Sequence, residues 1–156
     1  MSAQLDGIMK ITKILDMPVS IWKRVGGRAT TNIVRGADAG KDKNDDNFKG
    51  YTAEYSERKK RGKASPKGVS VSRQVSPPNL RLTSVMLNSI KAHKPTRTGV
   101  EIDFRDAMKV MGNAKEGRDI FGISPSNSND ITEIISEHLG KNISKYAKIP
   151  ITVKIG

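Results

Sequence analysis

The first part of the chain has apolar residues at the spacing of amphipathic helices. Over residues 3–35 they return every three or four positions, which places them on one face of a helix. The apolar positions assigned to a first helix are Leu5, Ile8, Met9, Ile11 and Leu15.

A second helix is predicted to begin at Pro18, because proline at the first helical position has no N–H to leave unpaired. Gly26 and Gly27 interrupt this helix, since glycine weakens a helix interior. The inner face is assigned to Val19, Trp22, Ala29 and Ile33.

Residues 36–79 show little helical or strand periodicity and are predicted to be largely irregular. They are rich in Gly, Asp, Asn and Lys, and then in Lys, Arg and Pro, so they offer little apolar surface to bury. Val69, Val71 and Val75 alternate and predict a short strand or an extended arm. A loop of this length is usually functional or orders on binding. We therefore expect one domain, residues 1–156, that carries 36–79 as a long loop or arm.

Regular structure is predicted again from Leu80. A helix capped by Thr83 is expected, followed by a half-buried strand in which apolar and acidic residues alternate. One face of that helix holds Leu82, Met86, Leu87 and Ile90. The strand alternates Val100, Ile102 and Phe104 with Glu101 and Asp103.

The last third is predicted to contain a short helix over 106–117, a long helix from about Asn129 or Asp130, and a terminal strand. The long helix has its apolar stripe at Ile131, Ile134, Ile135, Leu139 and Ile143. The strand has Ile151, Val153 and Ile155 on one face. Helices with few, non-alternating strands indicate an α+β fold: N-terminal helices, a small β-sheet, packed helices and a long extended basic loop or arm.

Composition narrows the class of protein. The chain has 156 residues, about one domain, and an apolar share of 35%, below the usual share of roughly 45–50%. The core is therefore expected to be modest. The absence of cysteine excludes disulfides and thiolate metal sites and fits a protein made in a reducing cytoplasm. No stretch resembles a signal peptide or a transmembrane helix, so we expect a soluble chain.

The positive charge is concentrated in one segment. The net charge is +12, and between Glu57 and Glu101 there are eleven Lys and Arg and no Asp or Glu. The flanks are balanced, with nine basic and eight acidic residues before this segment and eight of each after it. Such a block is typical of a surface for nucleic acid or an acidic protein; a solvated, flexible loop is the alternative.

No catalytic pattern is found in the sequence. The two histidines, His93 and His138, are far apart, and there is no Ser-His-Asp, HExxH or Walker arrangement. An acidic cluster lacks the ligand spacing of a calcium loop and is interpreted as a solvated turn. It comprises Asp38, Asp42, Asp45 and Asp46. We therefore predict no catalytic residue, no cofactor and no metal.

Basic segments bind nucleic acid through phosphates, whereas reading single-stranded bases needs aromatic side chains. Residues 58–100 contain no Phe, Tyr or Trp. Sequence-specific recognition is not expected. Non-specific phosphate binding and docking on an acidic protein both remain open.

Three short phrases occur in order along the chain: FKGYTAEYSERKKRG from Phe48, NLRLTSVMLNSI from Asn79 and GRDIFGIS from Gly117. With VEIDF between the last two, they resemble head–tail connector proteins of tailed double-stranded-DNA phages, and more closely the tail-completion or neck proteins. The likeness covers residues 29–146. Matching positions are Phe48, Tyr51, Tyr55 and Lys59; Leu82, Thr83, Met86, Leu87, Ser89 and Ile90; and Arg118, Phe121, Gly122 and Ser124. Ser84 stands where Gly is usual, and Ile120 where an aromatic is usual.

The resemblance implies an α+β protein without catalytic activity that forms a homo-oligomeric ring in the virion, between the DNA-filled head and the tail. The implied partners are copies of the same chain, portal-side and tail-side virion proteins, and, non-specifically, the packaged double-stranded DNA; no membrane is implied. The alternative, which rests on charge alone, is a cellular nucleic-acid-binding protein associated with the ribosome or the nucleoid.

Two groups of residues are assigned roles from their spacing and charge. Tyr51 and Tyr55 lie four positions apart, so they share one side of a helical turn or meet in a compact loop. They are expected to anchor the start of the basic arm against the body or a neighbouring subunit; scattered surface tyrosines are the alternative. The surface for an acidic partner is assigned to the densest part of that arm: Arg58, Lys59, Lys60, Arg61, Lys63, Lys67 and Arg73.

Overall fold

The computed structural model describes residues 12–62, 72–81 and 84–147. Several predicted features lie outside these residues. They are the first helix before residue 12, the strand positions Val69 and Val71, the helix positions Leu82 and Thr83, and the terminal strand at 151–155. Among the described residues the chain forms an α+β domain in which a two-stranded antiparallel sheet packs against helices, as predicted.

Helix α1, Val19–Asp38, is the central element and packs against both the sheet and the last helix. Pro18 precedes it as the N-cap. Its buried face repeats every four residues, at Ile21, Val25, Ala29, Ile33 and Ala37. The predicted inner face was correct at Ala29 and Ile33 and wrong at Val19, which is exposed.

The glycine pair does not interrupt α1, contrary to the prediction. A Cβ at Gly26 would lie 2.6 Å from Cβ of Ala92 and 2.9 Å from Cγ2 of Val100. The helix therefore approaches the sheet closely at a position where only glycine fits without a shift. The contact with the sheet offsets the low helix propensity of glycine.

Helix α2, Ala53–Lys60, lies inside the segment predicted to be irregular, and that prediction is wrong for these residues. The Oγ1 of Thr52 accepts a hydrogen bond from the N–H of Tyr55, which caps the helix. Glu54 in the first turn and basic residues in the last turn suit the helix dipole. The low apolar content of α2 hid it from a search for hydrophobic periodicity.

A short helix, α3 (Val85–Asn88), leads directly into strand β1 (Ile90–His93), which pairs with β2 (Glu101–Phe104) in antiparallel register. Strand β2 was predicted. Ile90 was assigned to a helix face and instead begins β1, opposite Phe104. The switch to extended backbone after Ser89 lets Leu87 and Ile90 both reach the core beside Phe104.

Helix α4 (Ala107–Lys115) agrees with the predicted short helix, and helix α5 (Pro125–Ala147) begins four residues before Asn129. Proline at the first turn explains the earlier start. The core has two clusters. One, under the hairpin, includes Ile33, Phe48, Leu87, Phe104 and Val110; the other joins α1 to α5 through Ile21, Val25 and Ile134.

Candidate functional site

Lys59 is completely buried, which its place in a run of basic residues does not suggest. Its Nζ donates a hydrogen bond to Oδ1 of Asn79 at 2.9 Å and a longer one to the hydroxyl of Tyr51 at 3.4 Å. The ammonium group also lies 4.7 Å from the centre of the Tyr51 ring. Burial lowers the pKa of Lys59 to about 8, because removal from water disfavours the charged form.

Asn79 joins α2 to the segment 72–81. Its Oδ1 also accepts from the N–H of Arg81, and its Nδ2 donates to Ser72 and Gln74. The hydroxyl of Tyr51 accepts from the N–H of Leu80 at 3.2 Å. These bonds tie the end of α2 to residues twenty positions further along the chain.

The assignment of Lys59 to the acidic-partner surface is therefore wrong. Its ammonium group is buried and hydrogen-bonded within the protein, so it cannot contact a partner. Arg58, Lys60, Arg61 and Arg73 are exposed, and Lys60 and Arg61 pair with Glu57 on the same helix. Lys63 and Lys67 lie outside the described residues.

Tyr51 and Tyr55 lie together, with ring centroids 4.9 Å apart. Burial raises the pKa of both phenols, and neighbouring cations oppose that rise: Arg118 at Tyr51, and Arg118 with Arg58 at Tyr55. The two side chains are placed where the predicted arm begins. Their role as its anchor stays a prediction.

The two tyrosines line a groove of about 870 Å³, which we call the tyrosine groove. Three parts of the chain form its walls: residues 49–55, residue 80 with residues 84–86 at the start of α3, and α4 with the turn that follows it. Leu80 and Met86 contribute buried apolar surface, and Val85 is exposed. The groove therefore has an apolar floor.

Arg118 is fixed at the rim of the tyrosine groove. Its Nη1 donates to the carbonyls of Lys49 and Gly50, its Nε contacts Oδ1 of Asn113 at 3.5 Å, and its guanidinium lies 5.2 Å from the centre of the Tyr51 ring. No carboxylate pairs with it among the described residues.

The rest of the rim is mainly basic. In the part of the chain that the structure describes, Lys49, which also lines the groove, forms no ion pair. Lys109 is neutralised by Asp106, whose Oδ2 lies 2.6 Å from its Nζ. Glu116 is the acidic side chain that lines the groove. The rim thus combines fixed positive charge with an apolar floor.

Three of the four aspartates of the acidic cluster have separate structural uses. Asp38 binds the guanidinium of Arg81, and Asp42 accepts from two backbone N–H groups in its own turn. Asp45 reaches the first turn of α5, where it accepts from both N–H and Oγ of Ser126 at 2.9 Å. Within the described ranges, no group of three or more potential metal ligands is found.

The histidines are not close to each other in any site. His93 faces Glu101 across the hairpin, 3.7 Å from its carboxylate. His138 contacts the carbonyl of Asp16 at 2.9 Å and the amide of Asn142. It is half-buried rather than fully exposed.

Sequence reasoning missed the network around Lys59, although one signal was present. Tyr51, Tyr55 and Lys59 are spaced by four, which places them on one side of a helix. Asn79 carries no such signal, because its partners lie in other segments of the chain.

Comparison of the chain with protein-family models, curated proteins and solved structures finds no match. In the described residues, no helix has the length and apolar character needed to cross a bilayer.

Proposed function

We propose that this protein is a non-enzymatic structural component of the head–tail junction of a tailed phage, a neck or tail-completion protein that acts as a ring. The observation that carries the proposal is the convergence of three separated phrases at the tyrosine groove. Each phrase is short and carries little weight alone.

The contacts between the phrases are direct. Tyr51 and Lys59 from the first bind Leu80 and Asn79 from the second. Arg118 from the third lies over Tyr51. The three phrases therefore contribute to one packed region of the fold. Their meeting supports the view that the resemblance reflects one structural unit.

The distribution of charge supports the same proposal. The basic segment gives each subunit a surface for an acidic neighbour, and a ring would repeat that contact in every copy. The partners in this proposal are the chain itself and the portal-side and tail-side proteins of the virion, with the packaged DNA as a further, non-specific contact.

The test is the state of the purified protein together with the phenotype of its loss. Light scattering after size exclusion and negative-stain electron microscopy should show rings, alone or on the particle. Removing the gene from the parent phage should leave DNA-filled heads and free tails. A monomer that binds free DNA or RNA tightly, with steep salt dependence, would instead establish the nucleic-acid-binding alternative.

A further inference from the structure

We infer that the tyrosine groove binds an acidic peptide segment of another protein, one that carries an apolar side chain. The inference deepens the proposed function by naming a class of partner. It rests on that function only in taking the partner to be a virion protein. It is carried by the contrast between the groove's apolar floor and two cations at its rim, Lys49 and Arg118, that form no ion pair among the described residues.

The floor selects for an apolar side chain. Leu80 and Met86 line the groove and are buried, and Val85, which also lines it, exposes 59% of its surface. An apolar group placed in the groove would remove this surface from water together with its own. Clefts that bind ligands typically combine such a floor with a few fixed polar groups.

The rim selects for a carboxylate. Arg118 is held by two backbone carbonyls and by Asn113, so its guanidinium loses little freedom when a partner binds. Lys49 adds positive charge without a carboxylate partner among the described residues. Charge-assisted bonds from a fixed guanidinium to a carboxylate are among the stronger polar contacts.

Other occupants fit less well. A second copy brings a net charge of +12, and residues 63–71 of the same chain contain two lysines and no acid. Both would meet like charge at the rim. Duplex DNA offers phosphates but nothing that fills an apolar floor. Stacked bases need a free aromatic face, and the Tyr51 ring is contacted by Lys59, Arg118 and Tyr55.

The experiment uses an array of random 12-residue synthetic peptides, probed with the full-length protein at physiological salt. Bound peptides should be enriched in Asp and Glu together with at least one large apolar residue. The two groove variants are Arg118→Gln, which removes the fixed charge, and Val85→Asp, which puts a carboxylate on an exposed position of the wall. Each should weaken the best peptides by about tenfold or more.

Arg97→Gln is the matched control. It removes the same charge from the exposed turn between the strands, beside Trp22, and should leave binding unchanged. Thermal melting of each variant shows whether it is folded, and Val85→Asp keeps the test valid if Arg118→Gln destabilises the protein.

Three results would overturn the inference. They are bound peptides without acidic enrichment, acidic peptides that bind both groove variants as tightly as the control, and competition by a 20-base-pair DNA duplex that depends on Arg118. None of them bears on the ring or on the particle phenotype. Conversely, if the protein proves not to be a neck protein, binding of acidic peptides in the groove would still support this inference.

Discussion

At the scale of single residues, Lys59 shows that position in a basic run does not determine the role of a cation. A buried ammonium loses its hydration and needs partners. Here it has an amide oxygen, a phenol and an aromatic ring, but no carboxylate. Counting charge along the sequence treats all eleven basic residues of the segment as solvated. Of the nine that the structure describes, Lys59 is fully removed from the surface.

The first prediction concerns pH. The pKa of Lys59 is about 8 in the folded protein and about 10.5 in the unfolded chain. Between these values the unfolded chain binds more protons, so the free energy of unfolding should rise as pH increases from 8 to 9.5, on the order of 1 kcal/mol. The raised pKa values of Tyr51 and Tyr55 act in the opposite direction, mainly above about pH 10. Urea denaturation at a series of pH values measures the change.

Substitution of Lys59 tests whether this residue causes the pH effect. Lys59→Met should remove the rise and leave the melting temperature at pH 7 unchanged or higher, because Asn79 and Tyr51 keep their backbone donors. Lys60→Met, an exposed neighbour on the same helix, should keep the rise. An equal slope in Lys59→Met and the unmodified protein would contradict the prediction.

Asp45 is a second residue whose structural role cannot be seen from its neighbours in the sequence. Its carboxylate binds the first turn of α5, and the backbone bond from Ser126 lowers its pKa. Asp45→Asn should lower the melting temperature at pH 7 by about 2–5 °C. The loss should shrink as pH falls through the lowered pKa, since the carboxylate contributes only while ionised.

Asp46→Asn is the control for this substitution, because it removes the same charge from an exposed neighbour. Its melting temperature at pH 7 should stay close to that of the unmodified protein. Equal losses in the two variants would mean that the charge of the turn matters and the bond to α5 does not.

At the scale of elements, the sequence predicted most clearly where one face of an element is buried. Strand β2 and helix α1 follow from alternation and helical spacing. Helix α2 was missed because it is held by a cap, a dipole and the Lys59 network rather than by an apolar face. Strand β1 was missed because its apolar residues continue the helical spacing of the residues before it. The tyrosine groove was not predicted, since it requires three segments to meet.

The third prediction compares the two glycines of α1. Gly26→Ala should destabilise the protein by about 1–3 kcal/mol, because the new methyl group would meet the side chains of Ala92 and Val100. Gly27→Ala should stabilise it by about 0.5–1 kcal/mol, because nothing lies within 4 Å of the added carbon. Urea denaturation distinguishes opposite signs at adjacent positions. Stabilisation by both substitutions would rule out the close approach of helix and sheet.

At the scale of the whole molecule, the basic residues have two roles. Lys59 is buried and bonded to Asn79 inside the fold, and Arg81 pairs with Asp38. The exposed cations at the end of α2 remain available to a partner. In a ring at the exit of a DNA-filled head, we expect them to meet an acidic protein. Many phosphate contacts would hold the DNA that must pass through.

The last prediction tests this use of charge in the virion. Changing Arg58, Lys60 and Arg61 together to Ser, with Lys59 kept, should leave the melting temperature within a few degrees, since exposed ion pairs contribute little. In the proposed phage, electron microscopy should show filled heads and free tails. The control removes three exposed charges near the hairpin and should assemble normally: Lys91, Lys94 and Arg97 to Ser. Normal infectious particles from the first variant would refute the acidic-partner role. Joined tails that leak DNA would point to a contact with DNA in the channel.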